Sequence, residues 1–360
     1  LLRAPDAVLG PAGADARIGL LTNDGARVGP AAKETGAFSR LALIGAGLNA
    51  IRLFSPEHGM AASAPDGATI PDGEDPRTGL PVTSLYESDL RPSSSAVEGL
   101  DLILVDLQDV GVRFYTYLWT LSHVMEVAAE VGVPIIVLDR PNPLGGLEEW
   151  VEGPVPEAPS LSSFLGRWPL PIRHSLTLGE MASVLRAEMN LDLDLRVVAM
   201  EGWERGMLWR DTGLPFHPPS PGIPSPESAL LYPGLALLEA TNVLEGRGTA
   251  WPFRWFGAPW LDAEAMSETL NSSMPDATWA HPHQIFTGNG PDRCPGVLLE
   301  IREPAALRPL ALGLRLIALL RTLYPNRFEW APYPTTVNPT GEGHLLSLLA
   351  DPTLVRALEE

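Results

Sequence analysis

Unbroken apolar runs recur through the first two hundred residues of the chain, and most of them end in polar side chains. An apolar run that does not alternate with polar residues is typical of a parallel strand buried on both faces. Five such runs predict strands, at 16–23, 50–56, 101–109, 133–143 and 193–200. We therefore expect a sheet that is shielded from water on both sides.

Between these runs the apolar residues recur every three or four positions, which is the period of an amphipathic helix. This spacing predicts helices at 38–48, 116–132 and 177–190, and Gly132 is a suitable stop for the second. Strands that alternate with helices favour a parallel α/β sheet with crossover helices.

The pattern changes after the fifth strand. Residues 211–260 are crowded with proline, glycine, tryptophan and phenylalanine, which favours ordered loops. A strand at 295–303 and a long helix at 306–325 then predict a second, smaller α/β domain. We place the domains at 1–215 and 216–360 and expect a ligand cleft between them, because domain interfaces often bind ligands.

The run GAGLNA at 45–50 matches the glycine pattern of dinucleotide-binding proteins. In those proteins the glycines follow a strand and open a helix that receives the pyrophosphate. Here a strand-like run broken by Pro56 comes next, so the glycines are predicted to end a helix and turn into a strand. We predict no cofactor, and an NAD-dependent oxidoreductase is the less favoured enzyme class.

Charge and composition exclude several kinds of partner. The net charge of −19 argues against nucleic acid and against docking on anionic membranes. No apolar run reaches the ~18 residues of a membrane span. The single cysteine, Cys294, has no partner for a disulfide, and no zinc-binding spacing occurs, so we predict no metal.

The chain begins at Leu1 rather than at a methionine. We expect a secreted or periplasmic protein whose signal peptide has been removed, while a cytoplasmic location and the oligomeric state stay open.

Polar side chains cluster where four of the predicted strands end. Because the carboxyl ends of parallel strands meet at one edge of a sheet and bind ligands there, the clusters predict one site. As alternatives, Asp109 and Asp139 cap helices or bond to loops, and Asp139 pairs with Arg140. The candidates are Asn23, Glu57, His58, Gln108, Asp109, Asp139, Arg140 and Asn142.

Arg113 and Tyr115 follow the third cluster in the run GVRFYTY. An arginine binds a carboxylate through its planar fork, and a tyrosine ring stacks on a sugar face. The structural alternatives are an aromatic helix core and an ion pair between Arg113 and Asp109.

Three further candidates lie later in the chain. His174 stands just before a predicted helix whose first turn, with Thr177 and Glu180, fits a capping box. Glu245 and Arg247 lie among glycines in EGRGTAWPF, which suits ligand contact, although a salt bridge between them is the alternative.

Carboxylates, arginines, an asparagine and aromatic rings together suit carbohydrate chemistry, and no nucleophile elbow or phosphate loop competes. A glycosidic bond breaks when a carboxylic acid protonates the leaving oxygen while other groups stabilise an oxocarbenium-like centre.

Seven motifs carry a family resemblance: FSPEHG, DLQDVGVRFYTY, VLDRPNPLGG, VEGP, DTGLP, SALLYPG and EGRGTAWPF. From about residue 17 to residue 330 or beyond, the chain resembles the NamZ-type exo-β-N-acetylmuramidases, glycoside hydrolase family 171, formerly DUF1343. The resemblance implies a Rossmann-like parallel-sheet domain without dinucleotide and a smaller C-terminal α/β domain. It also implies a glycoside hydrolase that releases N-acetylmuramic acid from the non-reducing end of peptidoglycan fragments.

The family motifs fall on most of the candidate residues, and three positions depart from the family pattern. Ser175 stands where a glycine is expected, Gly222 where an asparagine is expected, and Asn338 in a segment that usually contains an aspartate. These departures indicate a shift in substrate preference. The matched candidates are Glu57, His58, Gln108, Asp109, Arg113, Tyr115, Asp139, Arg140, Asn142, Glu245 and Arg247.

We expect Glu57 to be the acid/base carboxyl and His58 its partner or a substrate ligand. The second carboxylate is Asp109, Asp139 or Glu245, unless the 2-acetamido group of the sugar acts as internal nucleophile. The alternative function is a non-catalytic carbohydrate- or muropeptide-binding protein.

An arginine is expected to bind the lactyl carboxylate that distinguishes muramic acid from glucosamine. The candidates in order are Arg113, Arg140 and Arg247. Arg113 ranks first because it lies beside aromatic residues suited to sugar contact.

Overall fold

A computed structural model describes residues 8–9, 13, 15–29, 36–87, 90–157, 159–273, 277–286 and 293–360. Leu1, on which the expectation of export depends, lies outside them. The chain divides into two compact units that contain segments from both sides of residue 215. The first unit comprises Leu1–Gly111, Tyr115–Glu148 and Ser175–Pro221, and the second comprises Val112–Phe114, Glu149–His174 and Gly222–Glu360.

The first unit is built on a seven-stranded sheet with the order β3-β4-β2-β1-β5-β6-β7. Every pairing is parallel except that of β3 with β4. The α/β fold with a mostly parallel sheet is confirmed. The strands are β1 (Ile18–Thr22), β2 (Ala50–Ser55), β3 (Gly73–Glu74), β4 (Pro81–Ser84), β5 (Leu102–Asp106), β6 (Ile135–Leu138) and β7 (Leu195–Val198).

The centre of the sheet is apolar on both faces, as the unbroken runs predicted. Leu20 of β1 lies opposite Leu53 of β2 and Leu104 of β5, and all three side chains are buried. Without β3, the strands follow the doubly wound order, which reverses between β1 and β5. Ligands of such sheets bind outside the carboxyl ends of the strands at this reversal.

Helices cross between the strands of this unit. α3 (Tyr117–Val131) is followed by Gly132, whose φ of 73° gives the left-handed helix stop predicted from sequence. α1 ends at Gly45 and β2 begins at Ala50, so GAGLNA turns from a helix into a strand as predicted. The helices are α1 (Ser39–Gly45), α2 (Ser94–Val97), α3 (Tyr117–Val131) and α4 (Leu178–Glu188), with a 3-10 turn at Trp209–Thr212.

The second unit contains a three-stranded antiparallel sheet with the order β8-β10-β9. Its strands are β8 (Trp255–Gly257), β9 (Thr278–Phe286) and β10 (Arg293–Ile301), and 3-10 turns lie at Glu148–Trp150, Pro159–Leu161 and Ala236–Ala240. Its helices are α5 (Pro226–Leu235), α6 (Ala263–Ser273), α7 (Pro309–Leu323), α8 (His344–Leu349) and α9 (Pro352–Glu359). Across the described part of the chain, we find no helix with the length and apolar character of a membrane span.

Two glycines allow α5 and α7 to cross in direct backbone contact. A Cβ on Gly234 would stand 1.9 Å from the carbonyl oxygen of Pro309, and one on Gly313 would stand 2.2 Å from that of Gly234. β10 and α7 confirm the strand and the long helix predicted in this region. α5 was not predicted, because it is buried all round and contains Pro233, so it shows no amphipathic period.

Candidate functional site

The PEHG motif forms a tight turn directly after β2. His58 has a φ of 67°, in the left-handed region that residues other than glycine seldom occupy. The amide of Gly59 closes the turn by donating to the carbonyl of Pro56 at 3.0 Å. The ring Nδ1 of His58 lies 2.9 Å from the carbonyl oxygen of Ala64. Since a carbonyl only accepts, Nδ1 carries a proton.

Glu57 is buried at the carboxyl edge of the sheet, and its carboxylate is surrounded by donors. The hydroxyl of Thr116 donates to Oε2 at 2.7 Å, and the amide of Gly67 donates to Oε1 at 2.9 Å. Burial and the negative charges of Glu57 and Asp66 raise the pKa of Tyr86, which is also hydrogen-bonded to Glu57. Together, Thr116, Gly67 and Tyr86 place three hydrogen-bond donors around one carboxyl group, and these bonds hold it in a fixed orientation.

Tyr117 links the ends of β1 and β2. Its hydroxyl donates to the carbonyl of Pro219 at 2.5 Å and accepts from Nδ2 of Asn23 at 2.7 Å. Its ring lies 4.7 Å from that of Tyr115, centroid to centroid. Burial raises the pKa of Tyr117, and the negative charge of Glu57 raises it further. Asn23 is thus brought to the site, where it holds a tyrosine.

Asp109 lies after β5 in a very different environment. Its side chain is buried, and Oδ1 accepts the amide of Gly111 at 2.7 Å. Oδ2 is buried and has no hydrogen-bond partner among the described residues. Burial raises the pKa of Asp109 to about 7, although the amides of Gly111 and Val110 lower it. The negative charge of Asp109 also raises the pKa of Tyr117, so both carboxyls act on the same phenol.

The ion pair considered for Asp109 is not seen, because the terminal nitrogens of Arg113 donate to main-chain carbonyls instead. With a pKa of about 7, Asp109 holds a proton for part of the time at neutral pH, as a general acid must.

Gln108 and Asn142 are bonded to the main chain and hold the loops after β5 and β6. Nε2 of Gln108 donates to the carbonyls of Asp109 and Pro141 at 2.8 and 2.9 Å. The side chain of Asn142 packs on Gly111, where a Cβ would stand 2.3 Å from its Oδ1. The structure brings both residues to the sheet edge and gives them positioning roles.

Asp139 supports the fold through the first turn of α4. It accepts from the hydroxyl of Thr177 at 2.7 Å, from the amide of Gly179 at 2.9 Å and from the amide of Arg140 at 3.0 Å. Thr177 and Glu180 form the predicted capping box. These contacts match the loop-bonding alternative for Asp139.

Arg140 pairs with Asp106, not with Asp139 as considered from sequence. Its Nε lies 2.5 Å from Oδ1 of Asp106, which is buried at the end of β5. The guanidinium also donates to the carbonyl of Arg27 at 3.0 Å. One-fifth of the Arg140 side chain remains exposed.

The expectation that Arg113 binds substrate is wrong, because its side chain is fully buried in the second unit. One terminal nitrogen donates to the carbonyls of Pro154 and Leu170, and the other donates to those of Leu348 and Leu349, at 2.6 to 2.9 Å. Through these four hydrogen bonds, Arg113 connects segments of the second unit that are far apart in the sequence.

His174 is also buried in the second unit, and burial lowers its pKa to about 4. It is therefore neutral at physiological pH. Ser175, which follows it, has a φ of 57°. The family glycine expected here would adopt this backbone without strain, whereas serine does so at a cost.

Arg247 belongs to a charged cluster within the second unit. It pairs with Glu239 at 2.7 Å and with Glu245 at 3.6 Å, and it donates to the Tyr333 hydroxyl at 2.5 Å. His344 lies 2.8 Å from the other oxygen of Glu239 and stacks on Tyr333. The salt-bridge alternative for Glu245 and Arg247 is confirmed, although Arg247 lies closer to Glu239 than to Glu245.

One group of possible metal ligands lies at the PEHG turn. The ligand atoms of Glu57, His58 and Asp66 are within 4.8 Å of one another. The two oxygens of Glu57 accept from Gly67 and Thr116, and Nδ1 of His58 faces the carbonyl of Ala64, so protein hydrogen bonds hold these side chains in place.

Sequence reasoning missed several contributors to these sites. Thr116 lay inside a quoted motif, but nothing marked it as a partner of Glu57. Tyr86, Glu239 and His344 were not singled out from the sequence, and only the folded chain brings them to Glu57 and Arg247.

Comparison with known proteins agrees with the motifs. Residues 18–227 match the family model of the N-terminal domain of exo-β-N-acetylmuramidase NamZ, and residues 230–360 match that of its C-terminal domain. The chain is 38% identical over 344 residues to the peptidoglycan β-N-acetylmuramidase NamZ of Bacillus subtilis (strain 168), covering 94% of this chain and 81% of the relative.

Two solved structures of DUF1343 family proteins from Bacteroides fragilis NCTC 9343 are also similar. The match to one of them has a TM-score of 0.78 and 30% identity, and it covers 96% of this chain and 90% of the solved chain. The match to the other has a TM-score of 0.70 and 26% identity, and it covers 98% of this chain and 88% of the solved chain. With family models matching almost the whole chain, this protein belongs to the NamZ family of exo-β-N-acetylmuramidases.

Proposed function

We propose that this chain is a glycosidase that releases N-acetylmuramic acid from the non-reducing end of peptidoglycan fragments, with Asp109 and Glu57 as its two carboxyl groups. Family membership and the relative's activity support the reaction. The observation that carries the site is the contrast between the two carboxyls. Two titratable groups whose surroundings separate their protonation states are the usual basis of acid and base roles in one site.

Asp109 is the proton donor in this proposal. Its buried Oδ2 has no hydrogen-bond partner among the described residues, and its pKa is about 7. The proton passes from this carboxyl to the glycosidic oxygen as the bond from that oxygen to C1 breaks, and the leaving saccharide departs as an alcohol. Water then supplies a hydroxyl group to C1 and its remaining proton restores the acid.

Glu57 supplies the negative charge in this proposal. The donors from Thr116 and Gly67 hold its two oxygens in place before substrate arrives. A preorganised charge stabilises the positive charge that develops at C1 without any rearrangement during the reaction. This differs from the acid/base role expected from the sequence, because donors from Thr116 and Gly67 hold Glu57, whereas Oδ2 of Asp109 has no hydrogen-bond partner among the described residues.

Turnover of a chromogenic N-acetyl-β-muramide tests the proposal, with the matching glucosaminide as the second substrate. Asp109→Asn and Glu57→Gln are each expected to lose turnover by ~10²–10⁴-fold. Glu180→Gln is the matched control, since a glutamine still completes the capping box of α4. If wild type cleaves neither substrate but binds N-acetylmuramic acid, the chain is a binding protein.

A peptidoglycan substrate also supports a secreted or periplasmic location. Cell fractionation of the natural host tests it, and an exclusively cytoplasmic protein would contradict it.

A further inference from the structure

A small cavity lies within the first unit, at the carboxyl edge of its sheet. Its volume is ≈ 50 Å³, on a scale where one water needs about 10–15 Å³. The space therefore holds a group of a few heavy atoms, such as a carboxylate. Gly25 after β1, Gln108 after β5 and Arg140 after β6 contribute to its wall, together with Arg27 and His217. We call Arg27, Arg140 and His217 with this cavity the arginine pocket.

The arginine pocket is positive inside a strongly acidic protein. Burial lowers the pKa of His217, and the charges of Arg27 and Arg140 lower it further, so this imidazole lies in a positive field. Arg140 is balanced by Asp106. None of the ion pairs found between described residues includes Arg27, which donates to the carbonyls of Asp24 and Gly36.

His217 supplies a second, independent sign of a ligand. Its Nε2 is buried and has no hydrogen-bond partner among the described residues. A buried polar atom without a partner is unfavourable, and a ligand that pairs with it removes the penalty. A carboxylate accepts hydrogen bonds from both guanidinium groups and from an imidazole N–H.

The other arginines named from the sequence are already engaged. Arg113 donates to four carbonyls in the second unit, and Arg247 pairs with Glu239 and Glu245. Arg140 is the one that shares a cavity with further cationic and imidazole groups.

The pocket lies a short distance from Glu57 along the sheet edge. Glu57 follows β2, and Gln108 in the pocket wall follows β5, with β1 between these two strands. Two strand spacings amount to ~10 Å. A sugar ring with a three-carbon acid on one hydroxyl spans a gap of this size.

We propose that the arginine pocket binds the lactyl carboxylate of the N-acetylmuramic acid residue, so that Arg27, Arg140 and His217 set the preference for muramic acid over glucosamine. This inference rests on the proposed function. The lactyl carboxylate is then bound by residues of the first unit and not by Arg113. Two of these residues, Arg27 and His217, were not suggested by the sequence.

The test compares an aryl N-acetyl-β-muramide that has a free lactyl carboxylate with the same compound carrying a lactyl carboxamide. The amide keeps the shape and removes the charge. Wild type is expected to prefer the acid by about 10- to 100-fold in kcat/KM, the usual range for a charge-assisted pair. Arg27→Gln is expected to reduce this ratio to near 1, and His217→Asn to reduce it several-fold.

Arg77→Gln is the matched control. Arg77 also lies over the ring of Phe38, 4.2 Å from its centroid against 3.6 Å for Arg27, but it does not line the cavity. Its variant is expected to keep the wild-type ratio. Should Arg27→Gln fail to fold, His217→Asn decides the question.

An acid-to-amide ratio that stays at the wild-type value in folded variants of both pocket residues would overturn the inference. An equal loss on both compounds would do the same, since it would mean a general role in binding. Failure of the proposed function looks different, because wild type would then cleave neither compound.

Discussion

Replacement of Asp109 by asparagine is expected to stabilise the protein at neutral pH while it removes activity. The side chain is buried and its pKa is raised from 3.8 to about 7 by burial. Between these two values the folded state holds a proton that the unfolded state has released. The unfolded state then binds fewer protons, so stability falls as pH rises through this window.

The size of the effect follows from the shift. Each pKa unit corresponds to 1.36 kcal/mol, so the ionised Asp109 costs the folded state about 4 kcal/mol at pH 8, as an upper bound. The carboxamide keeps an oxygen for the amide of Gly111 and carries no charge. Asp109→Asn should therefore exceed wild type by up to this amount at pH 8 and match it near pH 4.

Urea denaturation of both proteins at pH 4 and pH 8 measures the difference, and turnover of the muramide is followed in parallel. The wild-type rate should decline above about pH 7, where the acid has lost its proton.

Asp75→Asn is the control of opposite sign. Burial raises the pKa of Asp75, but bonds to Arg40 and Thr78 outweigh it and hold the pKa below its usual value. That variant should lose stability. An Asp109→Asn protein that is less stable than wild type at pH 8, or that keeps its activity, would refute the reasoning.

Three further variants test other parts of the structure. Glu57→Gln should lower kcat by ~10²–10⁴-fold and still bind N-acetylmuramic acid in calorimetry, and half of wild-type activity would contradict its role. Ser175→Gly should raise the free energy of unfolding by about 0.5–1 kcal/mol, because glycine adopts the φ of 57° without strain; an unchanged denaturation midpoint would argue against this. Arg113→Met should cost about 3 kcal/mol or more by leaving three buried carbonyls and one half-buried carbonyl without a donor, whereas wild-type stability with a selective loss on the muramide would return this arginine to substrate binding.

The sequence alone determined the sheet and the edge at which the polar groups gather. Strands buried on both faces must be apolar throughout, so the runs around Leu20, Leu53 and Leu104 were visible without coordinates. Parallel strands place their carboxyl ends at one edge, and the polar clusters after β1, β2, β5 and β6 do meet there. The long motifs were specific enough to identify the family.

Only the tertiary structure separated the chemical groups from the supporting ones within each cluster. Asp109 and Asp139 look alike in sequence, but Thr177 and Gly179 satisfy Asp139, while an oxygen of Asp109 has no hydrogen-bond partner among the described residues. Arg113 is bonded to carbonyls as far away as Leu348. Hydrogen-bond partners that lie tens to hundreds of residues apart leave no periodic signal in the chain. The protonation state of a carboxyl and the availability of an arginine depend on those partners, and so they were decided by the fold.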